Sequence, residues 1–247
     1  MLEFIRISPT CFHAVANIGR MLEAAGFQQL QEKEEWKLEK GGRYYTERND
    51  SSVIAFVIPE KEVGIRGFHM AAAHSDSPCF KIKEKPELTV EEHYLRLNTE
   101  KYGGMIFSTW FDRPLSVAGR ALVKTDKGVE TKLVNIDRDL VVIPNLAIHL
   151  DRTANDGMKY NPQVNLLPLY GDAASKDTFD KLVAEACGVQ EEDLLSTDLF
   201  LYNRMKPGGL GRAQRVYVLR ETGRSGVRLL LSEGLCQGRQ QGKCFGL

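Results

Sequence analysis

The chain has 247 residues, 33 Lys and Arg against 33 Asp and Glu, and is 43% hydrophobic and 27% charged. This ordinary globular composition supports one or two buried cores, and the balanced charge gives no net pull towards nucleic acid or an acidic membrane surface. The longest apolar runs, such as SSVIAFVIP, are too short to cross a bilayer, and the start MLEFIRISPT lacks the pattern of a secretory signal, so a cytoplasmic location with neither nucleic-acid nor membrane partner is expected.

In chain order, Phe12, Val15, Ile18, Leu22 and Ala25 fall near one helical face, with Thr10 placed to cap and Gly26 placed to stop an amphipathic helix. GGRYYTERNDSSVIAFVIP then combines glycines, aromatics, a polar turn and a β-branched run, the pattern of paired strands. GFHMAAAH reads as a buried strand that ends at His74. From about Pro86 to Leu169, short apolar segments alternate with turn-like NTEKYGG, KTDKG and RTANDG, which predicts an inserted β-rich module. SKDTFDKLVAEACG restores helical spacing, with Ser175 as cap and Gly188 as stop. The composition changes after Pro207: residues 208–247 hold 9 of the 22 glycines and seven Lys/Arg against two acids, with no Asp.

Five cysteines form an odd set without a C-x-x-C pair and read as reduced, mostly structural thiols. His74 and Asp76 share one side of an extended backbone, so the carboxylate could accept the second ring N–H of a metal-bound imidazole. The alternative is a core histidine beside a turn-forming DSP. His149 and Asp151 repeat the spacing, and a structural or surface role is the competing reading there. No histidine pair has the H-x-x-x-H spacing of one helical face, so a metal site must be assembled from distant segments. There is no G-x-S-x-G nucleophile elbow, Cys11 and His13 lack a third orienting group, and GRQQGKC departs from a phosphate loop in its glycine spacing and in Cys244.

Three stretches, SPTCFHAVANI, MAAAHSDSPCFKIK and KYGGMIFSTWFDRPLSVAGR, together with PNLAIHLDR, resemble the aspartyl aminopeptidase family of cytosolic dinuclear zinc exopeptidases, in the family's order up to about residue 207. The resemblance implies an α/β fold: a zinc-peptidase α/β/α catalytic domain, incomplete here, with an inserted β-rich dimerisation domain. Its divisions would be 1–85 for the first part of the catalytic domain, 86–170 for the insertion, 171–207 for a helical end and return, and 208–247 for an anomalous tail. It implies His74 as a zinc ligand, Asp76 as its orienting carboxylate within the catalytic site, and His149 as either a metal ligand or part of a substrate pocket. Two zinc ions, replaceable by manganese or cobalt, would activate water for a glutamate general base and steady the oxyanion. The implied substrates are peptides with an acidic N-terminal residue, and the implied assembly is a homo-oligomer built from dimers.

Met105 stands where the family has a third glycine, a local departure. The larger one follows FLYNRMKP, where the family's metal-bridging L-D-D phrase and later Glu-Glu pair are missing. Joining the last two bases of each codon to the first of the next, Arg212 to Leu229 permits E-H-N-E-Y-M-S-C-G-R-L-D-D-L-E-C-A. A single frameshift just after about Pro207, followed by early termination, is therefore expected, leaving a truncated, inactive and poorly soluble form. The competing class is a non-catalytic oligomerisation or regulatory module.

Overall fold

Pro9 separates two helices, because it has no amide hydrogen to donate and disfavours helical backbone at the residue before it. α1 (Leu2–Ile7) ends before it and α2 (Cys11–Ala24) begins after Thr10, whose backbone is extended at φ −136°, ψ 170°. Thr10 occupies the expected cap position, but its hydroxyl bonds the His13 ring Nδ1 at 2.9 Å rather than a backbone N–H. Gly26 ends the turn at φ +82°, a conformation glycine adopts without a Cβ penalty. The computed structural model describes residues 2–60, 69–210, 212 and 216–218, and it divides into two units between Ser77 and Pro78.

In the first unit, β1 (Gln28–Gln29), β2 (Arg43–Arg48) and β3 (Ser52–Val57) form a sheet in that order, with β2 and β3 antiparallel. Asn49 and Asp50, both at φ 53°, make their turn, and these two residue types tolerate the left-handed region best after glycine. Ala14, Ile18 and Leu22 of α2 pack with Phe4, Phe27 and Tyr45. Each large apolar side chain buried there contributes about 1.5–3 kcal/mol. The Tyr45 hydroxyl donates to Glu23 Oε1 at 2.9 Å, satisfying the one polar atom this ring brings to the core edge.

The buried strand expected to end at His74 does not form among the described residues. Its first residues lie outside the described ones, and His69–His74 form no strand and are exposed, Met70 at 89%. A strand is buried only when neighbouring strands and layers cover it, and among the described residues β3 pairs solely with β2.

The second unit is built on β4 (Cys79–Val90), β5 (Tyr94–Tyr102), β6 (Leu115–Thr125), β7 (Gly128–Asn135), a short α3 (Pro162–Asn165), β8 (Leu169–Asp172), α4 (Phe179–Cys187) and β9 (Leu194–Asn203). Six strands form one sheet, ordered β7-β6-β9-β4-β5-β8, with every neighbouring pair antiparallel. β10 (Gly208–Leu210) and β11 (Val216–Val218) pair separately, and the rest of 208–247, apart from Arg212, lies outside the described residues. The boundaries expected at 85/86 and 170/171 both fall inside this unit, because β4 already starts at Cys79 and β9 lies between β6 and β4.

Pro86 sits where the β4–β5 register jumps between Ile82 and Glu87, a place where a residue without an N–H costs no ladder bond. NTEKYGG, expected as a turn, is instead largely strand. Leu95, Leu97 and Thr99 are buried in alternation along β5, and the polar residues occupy the other face. Phe179, Val183 and Cys187 of α4 join the core formed by Phe80, Leu97, Val117 and Leu199. Gly188 ends α4 at φ 66° as expected, but Ser175 does not cap it. The cap position is Thr178, and Glu87 of β4 accepts the amides of Asp177, Thr178 and Phe179 at 2.7, 3.0 and 2.9 Å. A carboxylate at a helix start satisfies orphan donors and complements the positive end of the helix.

Candidate metal-binding site

His74 and Asp76 lie in the first unit, on the segment from His69 to Ser77. His74 Nδ1 stands 2.9 Å from Asp76 Oδ1, with the two side chains 59% and 31% exposed. The H-x-D spacing thus brings the Asp76 carboxylate onto the ring, and in the tautomer with its proton on Nδ1 the ring donates to that carboxylate and Nε2 carries the lone pair. Between them Ser75 donates its hydroxyl to the Ser51 carbonyl at 2.6 Å, which ties the segment to the β2–β3 turn. Sequence reasoning passed over Ser75, since a serine carries no signal of which distant carbonyl it will reach.

A tetrahedral zinc centre takes three or four protein ligands. Among the described residues no group of three His, Cys, Asp or Glu stands close enough to hold a metal. The donor chemistry of His74, an imidazole with one nitrogen fixed by a carboxylate, fits one ligand of such a centre.

His149 belongs to the second unit, exposed in the turn Ile148–Leu150. The strand-like run before it is held at Ile143, whose carbonyl accepts from the Asp112 amide at 2.9 Å, and Asp112 Oδ1 accepts the Asn145 amide at 2.9 Å. Asp151 turns to Thr153, accepting its amide at 2.9 Å and its hydroxyl at 2.7 Å. These bonds hold the Asp151 carboxyl below its ordinary range. The second H-x-D therefore differs from the first in where its carboxylate is engaged.

His13 does not activate Cys11. Burial, then the nearby Arg20 charge, pushes its pKa down to about 4, and its ring is bonded to Thr10. Cys187 is buried in the second unit's core, and burial pushes its thiol up.

The model of the aminopeptidase I zinc metalloproteases (M18) matches residues 4–217. A probable M18 family aminopeptidase 2 of Clostridium novyi is 46% identical over 217 residues, covering 85% of this chain and 50% of the relative. Its counterpart in Clostridium acetobutylicum is 47% identical over 208 residues, covering 82% and 48%. Among solved structures, a chain of the Ape4 and Nbr1 complex gives a TM-score of 0.91 at 33% identity, covering 97% of this chain and 50% of that one. Chaetomium thermophilum mApe1 gives 0.79 at 29% identity, covering 86% and 52%. The chain thus spans about half the length of the curated relatives it matches. With the match running through both units, from α1 to the β11 strand, the chain belongs to the M18 family of aminopeptidase I zinc metalloproteases.

Proposed function

We propose that this chain carries the first part of a zinc-dependent aminopeptidase that releases acidic residues from peptide N-termini, with His74 as a metal ligand and Asp76 as the carboxylate that fixes its ring. The observation that carries the reading is the 2.9 Å contact between His74 Nδ1 and Asp76 Oδ1. Bound zinc supplies a Lewis acid that polarises the scissile carbonyl and lowers the pKa of water. The chain's own part is to present His74 Nε2 in one tautomer: Asp76 holds the proton on Nδ1, and Ser75 fixes the backbone between them through Ser51.

The complete centre is a two-metal one in this reading, zinc by preference and manganese or cobalt as substitutes, and the described residues supply His74 and Asp76 alone towards it. His149 either adds to a metal site or contacts substrate. The chain by itself is then a truncated form without turnover, of cytoplasmic location. Among the described residues no helix is long and apolar enough to cross a membrane.

The test measures zinc binding and hydrolysis of aspartyl and glutamyl anilides by the chain, its Asp76→Asn and His74→Ala variants, and a chain lengthened to its relatives' size. Weak zinc binding that depends on His74, without turnover, is expected of the short chain, and turnover of acidic anilides is expected of the long one. Zinc binding indifferent to both substitutions would sink the assignment.

A second reading, a non-catalytic oligomerisation module, is favoured by the separate core of the second unit and by the exposed Leu122, Val129 and Leu133 on its neighbouring strands β6 and β7. A relative, mApe1 of Saccharomyces, is described as a dodecamer. Self-association of the chain into dimers without zinc or turnover would move this reading ahead.

A further inference from the structure

β9 pairs with β6 from Leu194 to Asn203, but with β4 at a single registered position, Lys81 opposite Phe200. Beyond that point no further β4–β9 pair is registered, and β4 also shifts register against β5 between Ile82 and Glu87. A cavity of about 500 Å³ opens beside the two strands, walled by consecutive residues on each, Lys81–Glu84 and Leu194–Asp198, together with Glu100 and Asp180. In an antiparallel ladder every second residue of β9 turns its N–H and C=O away from β6. Between Leu194 and Leu199 those groups face the side where no pair with β4 is registered.

The walls also carry a charge preference. Lys81 is paired with Asp198 at 2.9 Å, Arg120 reaches the same carboxylate at 3.0 Å, and Lys83 donates to Gln163 Oε1 at 2.8 Å. Glu84, Glu100 and Asp180 have no ion pair among the described residues. The Asp180 carboxyl is held above its ordinary range by burial, then by the Glu191 and Glu87 charges, so an arriving cation would be welcome there.

We propose that the cleft between β4 and β9 is a strand-addition site for an extended, basic peptide segment of a partner protein. Main-chain hydrogen bonds to β9 supply the affinity, and Lys or Arg side chains facing Glu84, Glu100 and Asp180 supply the preference. At a rise of ~3.4 Å per residue, about four residues span the cleft. The site lies wholly within the second unit and is independent of the aminopeptidase reading.

The probe is a fluorescent pentapeptide alternating Lys and Val, blocked at both ends so that no aminopeptidase can use it, titrated with the full chain. Binding is expected to weaken as salt rises and to fall by about ten-fold in the Glu84→Lys, Glu100→Lys double variant, whose substitutions lie on exposed positions. It is also expected to vanish when alternate peptide amides are methylated, and the Glu–Val counterpart should not bind. The wild-type chain read by amide hydrogen exchange should show slower exchange at Leu194–Leu199 with peptide present. Binding that survives amide methylation, equal binding of the acidic peptide, or displacement of the probe by excess chain would each overturn the proposal, the last by placing a second copy in the cleft. So would the absence of binding by the wild-type chain.

Discussion

His13 gives the most direct test of the physical reasoning. Its ring lies in the first turn of α2, partly buried, bonded to the Thr10 hydroxyl, and pKa depressed from 6.5 to about 4 by burial first and the Arg20 charge second. The positive end of the helix acts in the same direction. A histidine whose folded pKa lies below its unfolded one binds more protons when unfolded, so its contribution is fully present above the unfolded pKa and is lost as pH falls. The loss begins near pH 6.5 and is complete below about 4. The depression corresponds to roughly 3 kcal/mol as an upper bound, at 1.36 kcal/mol per unit. Urea denaturation of the chain and of His13→Gln, at steps from pH 7 to pH 4, isolates this term, since carboxylates that titrate in the same window are common to both proteins. The wild type should lose up to roughly 3 kcal/mol more than the variant between pH 7 and 4. Glutamine can keep a bond to Thr10 and favours this helical position. Parallel loss of stability in the two proteins would refute the reasoning, as would a ring that titrates near 6.5 by NMR.

Asp76→Asn should lower zinc affinity about 10- to 100-fold in competition with a chromophoric chelator, because the amide no longer holds the His74 proton on Nδ1 as a carboxylate does. An unchanged affinity would remove Asp76 from the site. Glu87→Ala strips three amides at the start of α4 of their acceptor and should reduce stability by about 1–3 kcal/mol in urea; unchanged stability would refute that role. Gly119→Ala would drive a Cβ into the Asp198 carbonyl oxygen, forcing β6 and β9 apart, and should cost at least about 2 kcal/mol; a neutral effect would contradict the close approach of these strands.

The elements that were legible in the sequence are those whose signal is local. α2 shows its core face through Val15, Ile18 and Leu22, and the β2–β3 turn shows itself through Asn49 and Asp50, whose left-handed backbone few other residues tolerate. What escaped depends on distant partners. Ser175 is the cap the local sequence offers, but the helix starts after Thr178, where Glu87, ninety-odd positions earlier in the chain, accepts the Thr178 and Phe179 amides. NTEKY passed for a turn because only alternate residues of β5 are apolar. Its polar half belongs to a face that β4 and β8 leave accessible on either side. The strand expected up to His74 failed for the opposite reason: its apolar residues are right for burial, but no described neighbour covers them.

The two H-x-D motifs show why spacing alone cannot identify a metal site. Both put a carboxylate two residues after a histidine, yet Asp76 meets its histidine and Asp151 bends forward to Thr153. The difference lies one step further along. Two residues after Asp151 stands Thr153, which offers an amide and a hydroxyl, so the aspartate closes a local turn that competes with any contact backwards. Two residues after Asp76 stands Pro78, which has no amide to offer, so that forward turn cannot form and the carboxylate remains available to His74. In H-x-D-x-P the proline thus removes the competing turn and leaves the carboxylate to the histidine.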